Sequence, residues 1–167
     1  METDILYKKA PSNRNEPNSG ATGKRLDYIS WHQHHMYMAK ALMDFCKDND
    51  NDKAACIIVD QEHHPLATGY QGEMVSGRTT TSPHDSHPEA IALFFKKQRK
   101  PENCTLYTTR MPTCSICVDL ICQEKIQKLY YLGDSSVEIE EKLRKNDVIC
   151  EKYVTTRTIE IDIKMGN

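Results

Sequence analysis

Hydrophobic positions along the first half of the chain change from helical spacing to strand spacing. Asp27–Cys46 repeats apolar residues at close to a helical period, which predicts a first helix ended by the polar run KDNDND. Lys53–Asp60 is a short β-branched run that predicts a buried strand, and Leu66–Tyr70 predicts a second strand paired with it as a hairpin. Gln71–Ser86 is polar, contains glycine and proline, and is expected to form a loop.

The second half alternates helical and strand patterns. The predicted helices are His87–Lys97, Cys114–Glu124 and Ser136–Lys145, with Ser136 placed to cap the last of them. The predicted strands are Thr105–Thr109, Lys128–Leu132, Val148–Val154 and, at an edge, Thr158–Ile163. Helices between successive strands imply crossovers onto a parallel part of the sheet, whereas the opening hairpin is antiparallel. We therefore predict an α/β fold, a three-layer α/β/α sandwich with a mixed five-stranded sheet.

The N-terminal segment differs in composition from the rest. Met1–Lys24 is rich in asparagine, serine, proline, glycine and charge, so it has too little apolar surface to offset the entropy lost on ordering. We interpret residues 1–24 as a flexible tail and residues 25–167 as one domain. The length of 167 residues suits one domain with a buried core.

Charge and cysteine content narrow the functional classes. A formal net charge of -2 gives no electrostatic preference for nucleic acid or an anionic membrane, so we expect neither as a partner. The sequence shows no secretory signal and no apolar run long enough to span a bilayer, which predicts a cytoplasmic location. Seven cysteines in that setting favour free thiols and a metal site over a disulfide framework.

Two short segments carry the candidate chemistry. His87, Pro88 and Glu89 begin one predicted helix, and Cys114 and Cys117 begin the next, 27 positions after His87. A catalytic zinc site uses three nitrogen or sulfur ligands and leaves one position for water. The two sulfurs lie one turn apart, at a helix N-terminus that favours thiolate. We predict that His87, Cys114 and Cys117 bind Zn²⁺.

Glu89 lies two positions after His87, close enough to lean over the open position without binding the metal. Zinc lowers the pKa of bound water towards about 7, and a carboxylate must then move its proton to the substrate. We predict that Glu89 is this catalytic group, as in zinc base deaminases.

Other interpretations of these segments stay open. A Cys-x-x-Cys pair alone is also typical of a thiol redox protein or of a structural zinc site. A closed structural site needs a fourth ligand, for which Cys104 and Cys122 are candidates, although the spacing of Cys122 from Cys117 points it elsewhere.

With these residues in place, Asp27 to about Tyr153 resembles the cytidine and deoxycytidylate deaminase superfamily. His87, Glu89, Cys114 and Cys117 fill its H-x-E and P-C-x-x-C hallmarks. LYTT (Leu106–Thr109), KAACIIVD, TGYQG and KIQKLYYLGD resemble strands of its deoxycytidylate branch. The resemblance implies hydrolytic deamination of a cytosine-containing nucleotide by zinc-bound hydroxide, dCMP giving dUMP and ammonia in pyrimidine metabolism. It also implies a homo-oligomer.

Three departures from the family pattern bear on the substrate. Thr113 stands where proline usually precedes the first cysteine, and we expect it to cap the helix instead. Gln71 stands where asparagine is usual, at a position that the resemblance implies touches the sugar. The loop between Gln71 and His87 is shorter than in many deoxycytidylate deaminases. The same chemistry on cytidine, cytosine, guanine or tRNA adenosine therefore stays open, as does a non-catalytic zinc-binding partner subunit.

Candidate substrate contacts are Gln71, His84 and Arg110. Gln71 rests on the resemblance alone. His84, three positions before His87, and Arg110, after the third strand, are candidates for a nucleotide phosphate. His32, His34 and His35 lie on the first helix, where we prefer a solvated face to a second metal site.

Overall fold

The computed structural model describes residues 5–7, 29–46, 53–72, 87–97, 102–154 and 161–163. It divides into two compact units, Ser30–Val154 and a second made of Met1–Ile29 with Thr155–Asn167. The helices are α1 (Trp31–Leu42), α2 (Pro88–Lys97), α3 (Ser115–Gln123) and α4 (Val137–Lys145), with a 3₁₀ turn at Met43–Phe45. The strands are β1 (Ile5–Tyr7), β2 (Ala55–Val59), β3 (Pro65–Tyr70), β4 (Cys104–Thr108), β5 (Ile126–Tyr131), β6 (Ile149–Lys152) and β7 (Ile161–Ile163).

The larger unit contains a mixed five-stranded sheet in the order β3-β2-β4-β5-β6. Strand β2 is antiparallel to both β3 and β4, whereas β4, β5 and β6 are parallel to one another. The parallel strands are joined through α3 and α4, as crossover connections require. This is the sheet that the sequence predicted, and each of its strands lies within a few residues of the expected range.

Alternation along the central strands separates two apolar layers. Ile57, Val59 and Tyr107 face α1 and pack against its Met36 and Ala39. The opposite face carries the larger core, to which α2, α3 and α4 contribute; its buried members from strands and helices include Cys56, Ile58, Leu106, Leu129, Ala92, Val118, Ile121 and Leu143. Helices on both faces make the predicted three-layer α/β/α sandwich, which is confirmed.

The predicted edge strand does not extend this sheet. Ile161–Ile163 pairs antiparallel with Ile5–Tyr7 in a separate two-stranded sheet. The alternation in the sequence identified a strand there but held no information on its partner. Ile5–Tyr7 falls inside the predicted tail. The boundary between a tail of residues 1–24 and a domain of residues 25–167 stays a prediction.

Two predicted helix caps differ from the structure. Cys114, rather than Thr113, occupies the N-cap position of α3, and Thr113 is exposed. Ser136 is the N-cap residue of α4, but its side chain makes no capping hydrogen bond. A cap depends on the backbone angles and side-chain rotamer of one residue, which residue type alone does not determine.

Histidines of α1 are less solvated than we predicted. His35 is fully buried and stacks against His63, with their ring centroids 5.6 Å apart. His32 is half-buried, and its Nδ1 lies 2.7 Å from the Tyr107 hydroxyl. The solvated-face interpretation is therefore wrong for His35. None of the helices among the described residues is long and apolar enough to cross a membrane.

Candidate active site

The candidate residues meet where two helix N-termini approach the carboxyl end of β4. His87 directly precedes α2, and its carbonyl oxygen accepts the hydrogen bond from the Ile91 amide that starts the helix. Pro88 is the first helical residue, where its missing N–H has no cost. At the second N-terminus, the Cys114 carbonyl accepts from the Val118 amide. The sequence placed these two helix starts within one residue.

Three side chains that could bind a metal converge at this point. The ligand atoms of His87, Cys114 and Cys117 all lie within 4.8 Å of one another. His87 Nδ1 is 3.4 Å from Cys117 Sγ. Two ligands on tetrahedral zinc, one at the usual Zn–N and one at the usual Zn–S length, would be about 3.6 Å apart. One imidazole and two sulfurs at this separation fit a zinc ion with a fourth position left for another ligand.

Burial sets the electrostatics of the candidate ligand Cys117. Cys117 is fully buried, and its burial, reinforced by the charge of Glu89, raises the pKa of its thiol. Burial thus acts against the thiolate form, which we had expected the helix N-terminus to favour. A bound dication reverses this balance, because the thiolate is the form that binds metal.

Glu89 lies in the first turn of α2 and is almost completely buried. Burial raises the pKa of its carboxyl group, while its own backbone amide, the positive charge of Arg110 and the Thr108 hydroxyl oppose that shift. Thr108 Oγ1 lies 3.3 Å from Glu89 Oε1. A buried carboxyl group with a polar partner, two residues from the candidate metal ligand His87, has the surroundings of a proton-transfer group.

Sequence reasoning missed the position of Thr108 in this arrangement. The residue entered the sequence analysis only as part of LYTT, yet it is fully buried at the end of β4 beside Glu89. A threonine on the otherwise apolar inner face of a central strand was a signal that could have identified it. A buried hydroxyl requires a hydrogen-bond partner, and here the candidate partners lie in the site.

The three predicted substrate contacts differ in their position and surroundings. Arg110 is half-buried just beyond β4, and its charge acts on Glu89. Gln71 follows β3, and its backbone N–H donates a hydrogen bond to the Ala54 carbonyl oxygen at 2.8 Å. Its side-chain carbonyl oxygen is buried and has no hydrogen-bond partner among the described residues. His84 lies outside the described residues.

Residues 29–133 match the sequence profile of the cytidine and deoxycytidylate deaminase zinc-binding region. The chain belongs to this family. Zinc is the metal of the family, and the site formed by His87, Cys114 and Cys117 fits it. The match covers more than half of the chain and includes both segments that the sequence analysis selected.

Proteins similar to this chain include deoxycytidylate deaminases. An uncharacterized protein of Caenorhabditis elegans is 32% identical over 131 residues, covering 76% of this chain and 98% of that protein. Deoxycytidylate deaminase of Mus musculus is 27% identical over 132 residues, covering 71% of this chain and 73% of that protein. The apo crystal structure of dCMP deaminase from the cyanophage S-TIM5 superposes with a TM-score of 0.60 at 22% identity, covering 73% of this chain and 96% of that one. The last likeness shows the shared fold.

A second set of potential ligands lies in the turn between β2 and β3. Asp60, Glu62 and His64 bring their ligand atoms within 4.8 Å of one another. Glu62 and His64 are exposed, and Asp60 already accepts hydrogen bonds from the His64 amide and ring. Exposed acidic groups of this kind are common without a metal, so the deaminase site remains the supported one.

Proposed function

We propose that this protein catalyses the hydrolytic deamination of a cytosine-containing nucleotide, converting dCMP and water into dUMP and ammonia. The observation that carries the proposal is the convergence of one imidazole and two cysteine sulfurs beside a buried glutamate at two helix N-termini. Deoxycytidylate deaminases among the relatives support the choice of substrate. His87, Cys114 and Cys117 would hold the zinc ion, and Glu89 would carry protons.

The protein side chains then have separate tasks. Zinc, when bound, supplies a Lewis acid that activates water at neutral pH. Glu89 takes a proton from the attacking water and delivers it to N3 of the cytosine ring. It then transfers the second proton to the departing amine as the C4–N bond breaks. The water oxygen becomes the C4 carbonyl oxygen, and both of its protons are accounted for in dUMP and ammonia.

Gln71 and Arg110 are the proposed substrate contacts among the described residues. The buried side-chain oxygen of Gln71 needs a hydrogen-bond donor, and a sugar hydroxyl of the nucleotide would provide one. Arg110 carries a guanidinium group at the end of β4, where it would pair with the nucleotide phosphate. His84 is proposed for the same phosphate on sequence grounds alone. The homo-oligomeric state and the cytoplasmic location stay predictions.

A substrate panel tests this proposal. Zinc-loaded protein is incubated with cytosine, cytidine, deoxycytidine, dCMP, dCTP, guanine and an adenosine-containing tRNA. Conversion of amine to carbonyl is recorded as a mass gain of about 1 Da. We expect the highest kcat/KM with dCMP. Preference for another compound would reject dCMP but retain the chemistry, whereas no turnover of any compound would reject catalysis and favour a non-catalytic partner subunit.

A further inference from the structure

We propose that Thr108 is a positioning residue that fixes the Glu89 carboxyl group at the metal site, an inference that rests on the proposed function of Glu89. Thr108 is the last residue of β4 and is fully buried. Its Oγ1 lies 3.3 Å from Glu89 Oε1 and 2.9 Å from the Arg110 carbonyl oxygen. The hydroxyl is therefore placed between the glutamate and the backbone of the loop that leads to the cysteines.

The hydroxyl group has one proton and two acceptors within reach. The shorter distance, to the Arg110 carbonyl, is ordinary for an O–H···O hydrogen bond, and the longer one is stretched. With its proton on that carbonyl, Thr108 still offers lone pairs to a protonated Glu89. With its hydroxyl turned, Thr108 donates to the Glu89 carboxylate. A threonine can therefore hold the carboxyl group both before and after it takes up a proton.

The sheet keeps this hydroxyl in place. Thr108 pairs with Cys56 of β2 on one side and Tyr131 of β5 on the other, so its backbone lies in the middle of the sheet. Its carbonyl oxygen also accepts from the Leu132 amide at 3.3 Å. The β-branched threonine side chain has a restricted χ1. A long glutamate side chain on α2 thus gains a partner on the central strand of the sheet.

Substitutions at Thr108 separate the hydroxyl from the volume of the side chain. Thr108→Val keeps the shape and removes the hydroxyl, whereas Thr108→Ser keeps the hydroxyl. We expect Thr108→Val to lower kcat roughly tenfold to hundredfold, the scale of one lost hydrogen bond to a buried charged group. KM should stay within about twofold of wild type, zinc should stay at one ion per chain, and Thr108→Ser should retain most of kcat.

Thr109→Val is the matched control at the same strand end. The Thr109 hydroxyl accepts from the Ala55 amide at 3.0 Å and joins β4 to β2. We expect this variant to lose stability while keeping kcat within about threefold of wild type, because its bond lies between strands. Unchanged kcat in Thr108→Val, or an equal loss in Thr108→Ser, would overturn the inference. Thr108→Ala serves as a second variant without the hydroxyl if the valine variant does not fold.

Crystal structures of the zinc-loaded wild type and Thr108→Val test the inference without any substrate. We expect the Glu89 carboxyl group to contact Thr108 in the wild type and to shift away in the variant. An unmoved carboxyl group would overturn the inference even in an active deaminase. A wild type that deaminates nothing would instead reject the proposed function, so the two failures are distinguishable.

Discussion

Gly69 of β3 lies directly against Pro88, the first residue of α2. A β-carbon added to Gly69 would overlap the backbone carbonyl oxygen of Pro88 and come within 3.0 Å of the Ala92 amide nitrogen. Both obstacles are backbone atoms, which no rotation of a side chain can move. The absence of a side chain at Gly69 therefore sets how closely α2 lies on the sheet, and α2 carries Glu89 just after His87.

We predict that Gly69→Ala displaces the first turn of α2 and weakens the site at its end. A displacement of about 1 Å in catalytic groups can cost about hundredfold in rate, so kcat/KM should fall on that scale. Zinc affinity should fall as well, because His87 moves with the helix while the cysteines do not. Zinc titration and steady-state kinetics measure the two effects.

Gly133→Ala is the control for this prediction. Nothing lies within 4 Å of a β-carbon at Gly133, but the residue has a φ of +80°, which costs about 1–2 kcal/mol in an alanine. We expect that variant to lose stability and to bind zinc normally. Equal zinc affinity in Gly69→Ala and wild type would show that the close approach to Pro88 does not position the site.

Glu89→Gln tests the proton-transfer role. The amide keeps the shape of the side chain but cannot take a proton from water, so kcat should fall by about 10²–10⁴ while one zinc ion stays bound. Metal analysis of the same sample used for kinetics checks both halves of this prediction. Glu62→Gln, in the exposed turn between β2 and β3, should change neither kcat nor the zinc content. Ready turnover by Glu89→Gln would exclude Glu89 as the proton carrier.

Cys114→Ser tests the ligand assignment. Serine is a poor zinc ligand beside a histidine and a thiolate, so this variant should lose zinc and activity together. Cys122→Ala is the comparison, because Cys122 lies on the same helix but packs against the apolar core. It should keep a full complement of zinc. Zinc per chain after gel filtration is the measurement, and a fully loaded Cys114→Ser protein would contradict ligation by Cys114.

His35 gives the fold a predicted dependence on pH. Its ring is fully buried, and neither ring nitrogen has a hydrogen-bond partner among the described residues. Burial, with the neighbouring His34, His63 and His32, lowers the pKa of His35 to about 4. In the unfolded chain the His35 ring would take up a proton near pH 6.5, so the neutral ring makes its full contribution to the free energy of unfolding above that pH. The free energy of unfolding should fall by up to about 3 kcal/mol as the pH drops towards 4.

Urea unfolding at several pH values checks the direction of this change in the free energy of unfolding and its origin in His35. We expect His35→Phe, which fills the space with an uncharged ring, to lose less stability than wild type between about pH 6.5 and 4. His64→Gln, at an exposed position, should retain the wild-type dependence. An identical slope in His35→Phe and wild type would assign the pH dependence to other groups.

The sequence predicted those parts of the molecule that depend on local patterns. The periodicity of apolar residues and the turn residues located the strands of the main sheet. The spacing of His87, Cys114 and Cys117 selected three candidate metal ligands, which the structure brings close together. Ligand chemistry explains why this spacing was informative, because the types of these residues and their positions at helix N-termini restrict which metal ions they can bind. Roles in catalysis stay predictions until the variants above are measured.

Features that depend on distant partners were not predictable. Nothing in the pattern of α1 shows that His63, from the β2–β3 turn, would stack on His35 and help to bury it. Nor could alternation show that Ile161–Ile163 pairs with Ile5–Tyr7 instead of joining the main sheet. The contact between Thr108 and Glu89 likewise joins a strand and a helix that the chain separates by 19 positions.

X-ray absorption at the zinc edge tests most directly whether these residues form an open catalytic metal site. For the zinc-loaded protein we predict two sulfur atoms at about 2.3 Å and two nitrogen or oxygen atoms at about 2.0–2.1 Å. A zinc ion surrounded by four protein sulfurs, or by none, would contradict the account.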